Sequence, residues 1–269
     1  MINALSLRTY FKMPVSTTEI ASATIASDNP IHQRLLFAYV MALDYVRGDL
    51  LEIGCGEGRG LELLLPKCRT YAAVDKNPIV IGALKEQHKN LTLICSDVPP
   101  FPGIETASCD SLVSFQVIEH LEDDSLFIEE VYRVLRPGGI AIITTPNIKM
   151  SLTRNPWHVR EYTKEELLEL VGKKFDNVEL RGVYGDDNVN AYYEKNKESV
   201  RRLTRFDILN LQYRLPRSVL QVPYEMLNRW NRNKLKADSN GLVMSITTES
   251  FSLKYADDAC YDFFCILRK

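Results

Sequence analysis

The sequence lacks the patterns that mark several common classes of protein. None of its six cysteines stands in a CxxC pair, and its cysteines and histidines show no zinc-ligand spacing. No uninterrupted apolar run approaches the ~18 residues that a membrane-spanning helix needs. Residues 1–20 lack the basic start and continuous apolar stretch of a signal peptide. We therefore expect a cytoplasmic protein with reduced, mostly buried thiols.

The sequence also lacks an excess of charge of either sign. Its 269 residues carry a formal net charge of −2, with 45% hydrophobic and 25% charged residues. These proportions are ordinary for a soluble globular protein, and the length suits one α/β domain with an insertion. The overall charge gives no reason to expect nucleic acid as a partner of the whole molecule.

Strand patterns alternate with helical patterns from Asp49 onward. The strand patterns lie at 49–54, 70–75, 91–97, 109–118 and 140–147. A later helical segment carries a capping box, Thr163 with Glu166. Because strands joined through helices pair in parallel with right-handed crossovers, we predict an α/β fold with a doubly wound, Rossmann-like, mostly parallel sheet of seven strands. Such sheets bind ligands at the carboxyl ends of their strands.

These patterns divide the chain into four parts. They are an N-terminal helical segment (1–48), the α/β core (49–185), a basic helical insertion (186–250) and the final strand of the core sheet (251–269). In the first part we predict a helix that Asn29 caps and Pro30 begins. Its apolar face comprises Leu35, Leu36, Tyr39, Leu43 and Val46. Asn77 and Pro78 give the same two signals for a helix in the core.

The segment LLEIGCGEGRG, residues 50–60, is a strand followed by a glycine turn. Glycines permit positive φ and let a ligand come close to the backbone. The spacing departs from the dinucleotide fingerprint GxGxxG, because Arg59 stands at the sixth position from Gly54 and Leu61 at the sixth from Gly56. The chain also lacks a GxxxxGKS or GxxxxGKT loop. We therefore expect neither NAD nor a nucleoside triphosphate.

Together with four later motifs, this turn resembles the class I S-adenosylmethionine-dependent methyltransferases. The later motifs end in Asp75 and Asp97 or read SFQVIEHLED and LRPGGIAIITTPN. The resemblance covers about residues 30–185 and the last strand. It implies that S-adenosylmethionine is the cofactor, with Asp75 on the ribose hydroxyls and Asp97 on the adenine amino group. The cofactor-binding residues that it implies are Glu52, Gly54, Gly56, Gly58, Asp75, Lys76, Asp97, Val98, Phe115 and Gln116.

Three polar residues near the predicted sheet edge are candidates for a catalytic base. His120 follows the fourth strand, where an imidazole can accept a hydroxyl proton. His158 and Glu161 lie in NPWHVREYT, which resembles segments of family members that act on small molecules, many of them in sugar or glycan modification. The alternative interpretation is structural: His120 orients its loop, and Arg160 pairs with Glu161.

We predict no metal ion held by the protein alone, and a divalent ion held partly by the substrate stays open as an alternative. Ubiquinone-pathway O-methyltransferases carry a similar EH segment preceded by a further carboxylate, and Gln116 stands at the corresponding position here. Glutamine is a poorer ligand for a metal ion than a carboxylate, so the family pattern is incomplete at this point.

The insertion is strongly basic. Residues 194–236 hold eleven Lys or Arg and four Asp or Glu, a net charge of +7, whereas the rest of the chain carries −9. One interpretation is a helical lid that packs its apolar residues on the sheet domain, namely Leu215, Val219, Val222, Met226, Leu227 and Trp230. The other is a surface that recruits an anionic acceptor or contacts an anionic membrane.

We therefore expect a methyltransferase that acts on a small-molecule acceptor, at oxygen, of the sugar, glycan-precursor, phenolic or quinone type. Two alternatives stay open. One is methylation of RNA or protein, although the sequence shows no recognisable RNA-binding module and no specific nucleic acid is predicted. The other is a module that binds the cofactor without catalysis.

Overall fold

The chain is organised around one eight-stranded sheet. A computed structural model describes residues 25–205, 207 and 210–269, so the first half of the predicted N-terminal segment lies outside the described residues. The strands are β1 (Asp49–Ile53), β2 (Thr70–Asp75), β3 (Thr92–Cys95), β4 (Cys109–Phe115), β5 (Leu135–Pro146), β6 (Asn177–Gly185), β7 (Phe251–Tyr255) and β8 (Asp262–Arg268). They lie in the order β3-β2-β1-β4-β5-β8-β6-β7. Strands β1 to β6 run in one direction, and β7 and β8 run against them.

The predicted α/β sheet is confirmed, with one strand more than the seven expected. Residues 251–269, predicted to supply a single final strand, supply both β7 and β8. β8 enters between β5 and β6, and its nearly continuous apolar run is buried, as is usual for a central strand. β7 forms the edge of the sheet and ends in the exposed Lys254 and Tyr255, so its pattern is too polar to stand out in the sequence.

Helices cover both faces of the sheet. They are α1 (Asn29–Ala42), α2 (Leu61–Leu64), α3 (Pro78–Gln87), α4 (Asp124–Val134), α5 (Lys164–Gly172), α6 (Asp187–Thr204), α7 (Leu211–Arg214), α8 (Arg217–Asp238) and α9 (Asn240–Ser245). α4 and α5 contribute to the core on one face, and α1, α2, α3 and the insertion to the core on the other. Within the described ranges, no helix joins enough length with enough apolar character to cross a membrane.

Two of the predicted helix starts are confirmed. At the start of α3, the side chain of Asn77 accepts hydrogen bonds from the backbone nitrogens of Ile79 and Val80. At the start of α5, Thr163 and Glu166 form the predicted capping box. Such caps satisfy backbone N–H groups that the first helical turn leaves without partners.

The start of α1 differs from the prediction. Asn29 is the first residue of the helix rather than its cap, and its side-chain nitrogen donates to the carbonyl oxygens of Val243 and Ile246, at 2.8 and 2.9 Å. These bonds tie α1 to the end of the insertion. The core residues that this segment contributes are Phe37, Ala38, Tyr39, Ala42 and Val46, whereas Leu35, Leu36 and Leu43 are half-buried. The buried face of α1 is rotated from the predicted apolar face, because α1 contacts the insertion as well as the sheet.

A buried ion-pair cluster joins the N-terminal segment to α8. The carboxylate of Asp28 is fully buried and lies 2.7 Å from Nη1 of Arg229 and 3.1 Å from Nη1 of Arg232. A buried carboxylate is stable only when cations or hydrogen-bond donors compensate it. We call these three residues the Asp28 latch.

α8 turns most of its large apolar residues outward, although Leu235 is buried in the core. Five of them are 51–69% exposed, namely Val219, Val222, Met226, Leu227 and Trp230. The arginines of the Asp28 latch occupy the inner side of the helix. The interpretation of α8 as a lid that packs these apolar residues on the sheet domain is therefore wrong, because the buried Asp28 draws the basic side of the helix inward.

Candidate active site

The glycine turn predicted from LLEIGCGEGRG lies at the carboxyl end of β1. Gly54, Gly56 and Gly58 have φ angles of +79°, +49° and +74°, a region that residues with a Cβ rarely adopt. A Cβ on Gly56 would meet no atom within 4 Å, so the turn is open on this side. A Cβ on Gly60 would lie 1.8 Å from Cδ1 of Tyr39, so the end of the turn is packed tightly against α1.

Asp75 connects this turn to the end of β2. Its Oδ2 atom accepts a hydrogen bond from the backbone nitrogen of Gly56 at 2.9 Å, and its Oδ1 atom accepts one from that of Asn77, also at 2.9 Å. The carboxylate is half-buried, and Lys76 beside it is exposed. The acidic residue predicted for ribose binding therefore borders the open side of the glycine turn.

The other predicted cofactor residues lie at the ends of β3 and β4. Asp97 is exposed just beyond β3, and Val98 next to it is half-buried. Phe115 is the buried last residue of β4, with its ring 4.6 Å from that of Tyr39 in an edge-on arrangement. Gln116 follows with a φ of +57°, an unusual backbone conformation for a residue with a side chain. All four residues lie at the carboxyl edge of the sheet.

Glu52 lies inside the core rather than on the open side of the turn. Its side chain is 1% exposed, and its carboxylate accepts hydrogen bonds from the hydroxyls of Tyr39, at 2.7 Å, and of Tyr71. Burial raises the pKa of this carboxyl group above its usual value, and the two tyrosine hydroxyls act in the opposite direction. Glu52 therefore supports the glycine turn from the core side, and α1 contributes to that support through Tyr39.

His120 and His158 lie against each other beside this edge of the sheet. Their ring centroids are 4.9 Å apart, and the ring planes are nearly perpendicular. Nδ1 of His120 lies 3.0 Å from the carbonyl oxygen of Trp157, which only accepts, so Nδ1 carries the proton and Nε2 has the lone pair. Burial, followed by the proximity of His158, lowers the pKa of His120 to about 4. The ring is thus neutral at physiological pH.

His158 is held by side chains of its own segment. Its Nδ1 atom lies 2.6 Å from Oε1 of Glu161, and its Nε2 atom lies 2.8 Å from Nδ2 of Asn155. Because the amide of Asn155 donates and the carboxylate of Glu161 accepts, Nδ1 carries the proton here too. Arg160 pairs with Asp124 at 2.8 Å and not with Glu161, so that part of the structural interpretation is wrong.

Glu119 is a further site residue, which sequence reasoning did not place in the site. It is 1% exposed, and its Oε2 atom accepts a hydrogen bond from the hydroxyl of Thr145 at 3.1 Å. Its Oε1 atom has no partner among the described residues. The backbone oxygen of Glu119 accepts from the nitrogens of Val159 and Arg160, at 2.7 and 3.2 Å. Burial raises the pKa of the Glu119 carboxyl group to about 7.

Asp262 is a second buried carboxylate at this edge. It is the first residue of β8, and because β8 is antiparallel its start lies beside Pro146 at the end of β5. Its Oδ2 atom lies 3.2 Å from Nε of Arg34, a residue of α1. Burial raises the pKa of Asp262. Only the strand register brings this residue here, so no local motif could reveal it.

The insertion is attached to both segments that carry the histidines. Nη1 of Arg154 donates to the carbonyl oxygens of Gln212 and Leu215, at 3.1 and 3.4 Å. Arg217 at the start of α8 pairs with Glu122 at 2.6 Å, two residues after His120. The described part of the insertion therefore borders the histidine pair.

Comparison with known proteins identifies the family. A family model described as a methyltransferase domain matches residues 51–143. A probable S-adenosylmethionine-dependent methyltransferase of Mycolicibacterium smegmatis is 30% identical over 219 residues, which cover 80% of this chain and 77% of that protein. The chain belongs to the S-adenosylmethionine-dependent methyltransferases. Within this family, a ubiquinone biosynthesis O-methyltransferase of Xanthomonas oryzae pv. oryzae is 26% identical over 114 residues, 40% of this chain and 48% of that protein.

A solved methyltransferase structure has the same fold. The S-adenosylmethionine-dependent methyltransferase of Archaeoglobus fulgidus superposes with a TM-score of 0.52 at 15% identity, over 89% of this chain and 93% of that chain. The protein is thus an enzyme of this class, with S-adenosylmethionine as its cofactor. The residues at the carboxyl edge of β1 and β2 fit that cofactor, because the open cradle at Gly56 lies directly beside the carboxylate of Asp75.

Proposed function

We propose that this methyltransferase transfers the methyl group to an oxygen of a small-molecule acceptor bound between the sheet edge and the helical insertion. The observation that carries the proposal is the group of Glu119, His120, His158 and Glu161, which suits a hydroxyl that must lose a proton. We call this group the acceptor cluster. Sugar, glycan-precursor, phenolic and quinone-type acceptors all present such a hydroxyl. The O-methylation named for the Xanthomonas relative supports the choice of oxygen.

We assign the cofactor to the predicted residues, with roles that follow from their positions. The backbone of Gly54, Gly56 and Gly58 lines the cradle, and Asp75 accepts the ribose hydroxyls. Asp97 and Val98 at the end of β3 bind the adenine, with Lys76, Phe115 and Gln116 on the neighbouring strand ends. Glu52 acts indirectly, because its carboxylate holds Tyr39 and Tyr71 under the turn.

The acceptor cluster lies next to this cradle. A Cβ placed on Gly54 would lie 2.2 Å from Cγ2 of Val117, so the chain that leads to His120 packs directly against the glycine turn. When bound, S-adenosylmethionine supplies a methyl group activated on a sulfonium; the acceptor oxygen bonds to that carbon, the carbon–sulfur bond breaks, and the hydroxyl proton has to leave. The chain contributes alignment, worth roughly 7–11 kcal/mol of the barrier, and a group that takes up the proton or stabilises the oxygen anion.

His120, His158 and Glu161 share this task in unequal ways. Nε2 of His120 presents a lone pair, but an imidazole with a pKa of about 4 is a weak proton acceptor. His158 and Glu161 are hydrogen-bonded to each other, so they fix the orientation of the second imidazole. Activation of the hydroxyl therefore belongs to the acceptor cluster as a whole rather than to one histidine.

A methyl-transfer screen tests the proposal. Labelled S-adenosylmethionine is offered with pools of sugars, nucleotide-linked sugars, phenols, quinols, RNA and protein, and the position of the label is read by mass spectrometry and NMR. We expect label on the oxygen of a small molecule, and a large loss of rate in His120→Gln and His158→Gln with binding of S-adenosylhomocysteine unchanged. Label on nitrogen, on carbon, or only in the RNA or protein pools would overturn the proposal.

We also propose that the outward apolar face of α8 rests on an anionic lipid surface. The five exposed apolar residues of this helix are accompanied by the exposed Arg214 and Lys234, and Nζ of Lys234 lies 5.1 Å from the ring of Trp230. Apolar side chains next to lysines and arginines are the composition of interfacial helices. Several other basic residues of the insertion are paired with carboxylates, among them Lys197, Arg202 and Arg217, which weakens the case for a dissolved anionic acceptor.

Vesicle sedimentation tests this contact. We expect binding to vesicles that contain phosphatidylserine, weaker binding to phosphatidylcholine alone, and weakening by salt. Met226→Ser with Trp230→Ser should abolish binding, whereas Tyr255→Ser, at an exposed aromatic residue on the edge strand, should leave it unchanged. Equal binding by both variants, or a stable dimer that the double variant dissolves, would contradict the lipid assignment.

A further inference from the structure

Three potential metal ligands converge at the edge of the sheet. Glu119, His120 and His158 each offer one ligand atom, and these atoms lie within 4.8 Å of one another. Glu119 and His120 are neighbours in the single-turn 3-10 helix Ile118–His120, while His158 comes from a separate segment. The two backbone hydrogen bonds to the carbonyl oxygen of Glu119, from Val159 and Arg160, fix the distance between the two segments.

We propose that Glu119, His120 and His158 bind one divalent transition-metal or zinc ion. Two imidazoles and one carboxylate suit Zn²⁺, Mn²⁺, Fe²⁺ or Co²⁺, whereas Mg²⁺ and Ca²⁺ prefer oxygen ligands throughout. The sequence indicated no metal held by the protein alone, because Gln116 replaces a carboxylate of the family pattern. The structure supplies His158 from a segment nearly forty residues further along the chain, which a local motif cannot reveal.

The carboxylate of Glu119 is the observation that points to an ion. Its Oε1 atom is buried and has no hydrogen-bond partner among the described residues, while Oε2 is held by Thr145. A buried polar atom without a partner costs roughly 1–3 kcal/mol, and more when it is charged. A cation bound to Oε1 would remove this cost, since it would coordinate the oxygen that the protein leaves without a partner.

Both imidazoles are held through Nδ1, as metal-binding histidines often are. In each ring Nδ1 carries the proton, held by the carbonyl oxygen of Trp157 for His120 and by the carboxylate of Glu161 for His158. The lone pairs therefore lie on the Nε2 atoms. Such outer partners are typical of metal-binding histidines, whose orientation they fix. The amide of Asn155 now donates to Nε2 of His158 and has to turn aside when the ion binds.

An ion at this point has a direct use in methyl transfer. Three protein ligands leave coordination positions open, where a hydroxyl of the acceptor can bind and lose its proton more readily. This use rests on the proposed O-methylation, whereas the existence of the ion site does not.

Titration of chelator-treated protein with Co²⁺ tests the site. We expect one Co²⁺ per chain with visible absorption bands, competition by Zn²⁺, and much weaker binding of Mg²⁺. Glu119→Gln and His158→Gln should each raise the dissociation constant by more than the ~10–100-fold typical of losing an outer partner, and Glu161→Gln by about that amount. His88→Gln, at a histidine that caps the end of α3, is the matched control and should bind as the wild type does.

Two further measurements make the outcome decisive. All variants are checked for binding of S-adenosylhomocysteine, and in wild-type protein the ring protons of His120 and His158 should show paramagnetic NMR shifts with Co²⁺. No stoichiometric Co²⁺ binding, binding that both ligand variants retain, or unshifted ring protons would each overturn the site. If chelator-treated protein methylates oxygen at full rate, the role of the ion falls while the proposed function stands. If Co²⁺ binds but methylation occurs only on nitrogen or carbon, the metal site stands and the proposed function is wrong.

Discussion

The proposed cofactor half of the site and its proposed acceptor half are built in different ways. The cofactor half comes from consecutive strand ends within residues 52–116, and its contacts are mainly backbone conformations and bonds to backbone nitrogens. The acceptor half gathers side chains from β8, α1 and the two histidine-bearing segments, with the insertion alongside. One chain can thus position the cofactor through residues that are close in sequence and the acceptor through contacts between distant segments. We therefore expect that a mutation in one half changes stability or binding with little effect on the other half.

The largest expected effect is at the Asp28 latch. Asp28→Ala leaves Arg229 and Arg232 without their buried partner, so we expect the free energy of unfolding to fall by about 3–5 kcal/mol. Urea denaturation measures this loss, and limited proteolysis should show earlier cleavage in the insertion. Affinity for S-adenosylhomocysteine should fall less than tenfold.

The matched control for the latch is Asp44→Ala, at an exposed aspartate just after α1, which should change stability by less than about 0.5 kcal/mol. If Asp28→Ala instead removes cofactor binding altogether, the two halves are not separable and the comparison fails.

The next effect is at the centre of the cofactor half. Asp75→Ala removes a carboxylate that accepts from the backbone nitrogens of Gly56 and Asn77 and is assigned to the ribose. Hydrogen bonds to a charged group are worth roughly 1.5–3 kcal/mol each, so we expect S-adenosylhomocysteine to bind about 100-fold more weakly. Calorimetric titration measures the change, with NAD as the ligand that should not bind. An unchanged affinity would show that Asp75 only shapes the turn.

The smallest effect compares one added methyl group in the cofactor half with one in the insertion beside the acceptor half. Gly60→Ala places a Cβ against the buried ring of Tyr39, whose hydroxyl is held by Glu52, so we expect a loss of about 1–3 kcal/mol in unfolding free energy. Gly241→Ala in α9 meets no atom within 4 Å and should be neutral or stabilising by about 0.4–1 kcal/mol. Equal effects in thermal denaturation would remove the contrast in packing between the glycine turn and the insertion.

The same contrast explains which parts of the fold and of the site could be predicted from the sequence. The glycine turn, Asp75, Asp97 and the caps at Asn77 and Thr163 are local patterns, because each depends on neighbours a few residues away. The fold and the position of these residues at one sheet edge followed from them. The inward turn of Glu52 did not, because it depends on Tyr39 and Tyr71 from other elements.

The acceptor half was only partly visible in the sequence. His120, His158 and Glu161 were singled out, but their arrangement depends on backbone bonds between segments about forty residues apart. Asp262 was missed as a site residue, since an acidic residue inside an apolar stretch gives no periodic signal. Glu119 was noted in the sequence only as a neighbour of His120 that caps or orients. The outward face of α8 was missed because periodicity shows that a helix has two sides but not which side the buried Asp28 attracts.

The position of β8 in the sheet also bears on the order in which the sheet can be completed during translation. Synthesis proceeds from the N-terminus, so β5 and β6 emerge before the strand that separates them. Until residues 262–268 leave the ribosome, both strands have an open edge of unpaired backbone groups, which is a template for wrong pairing. Because Asp262 opens that same strand, the acceptor half can close only when this gap in the sheet is filled. The strands that carry the proposed cofactor cradle therefore leave the ribosome before the strand that completes the proposed acceptor half.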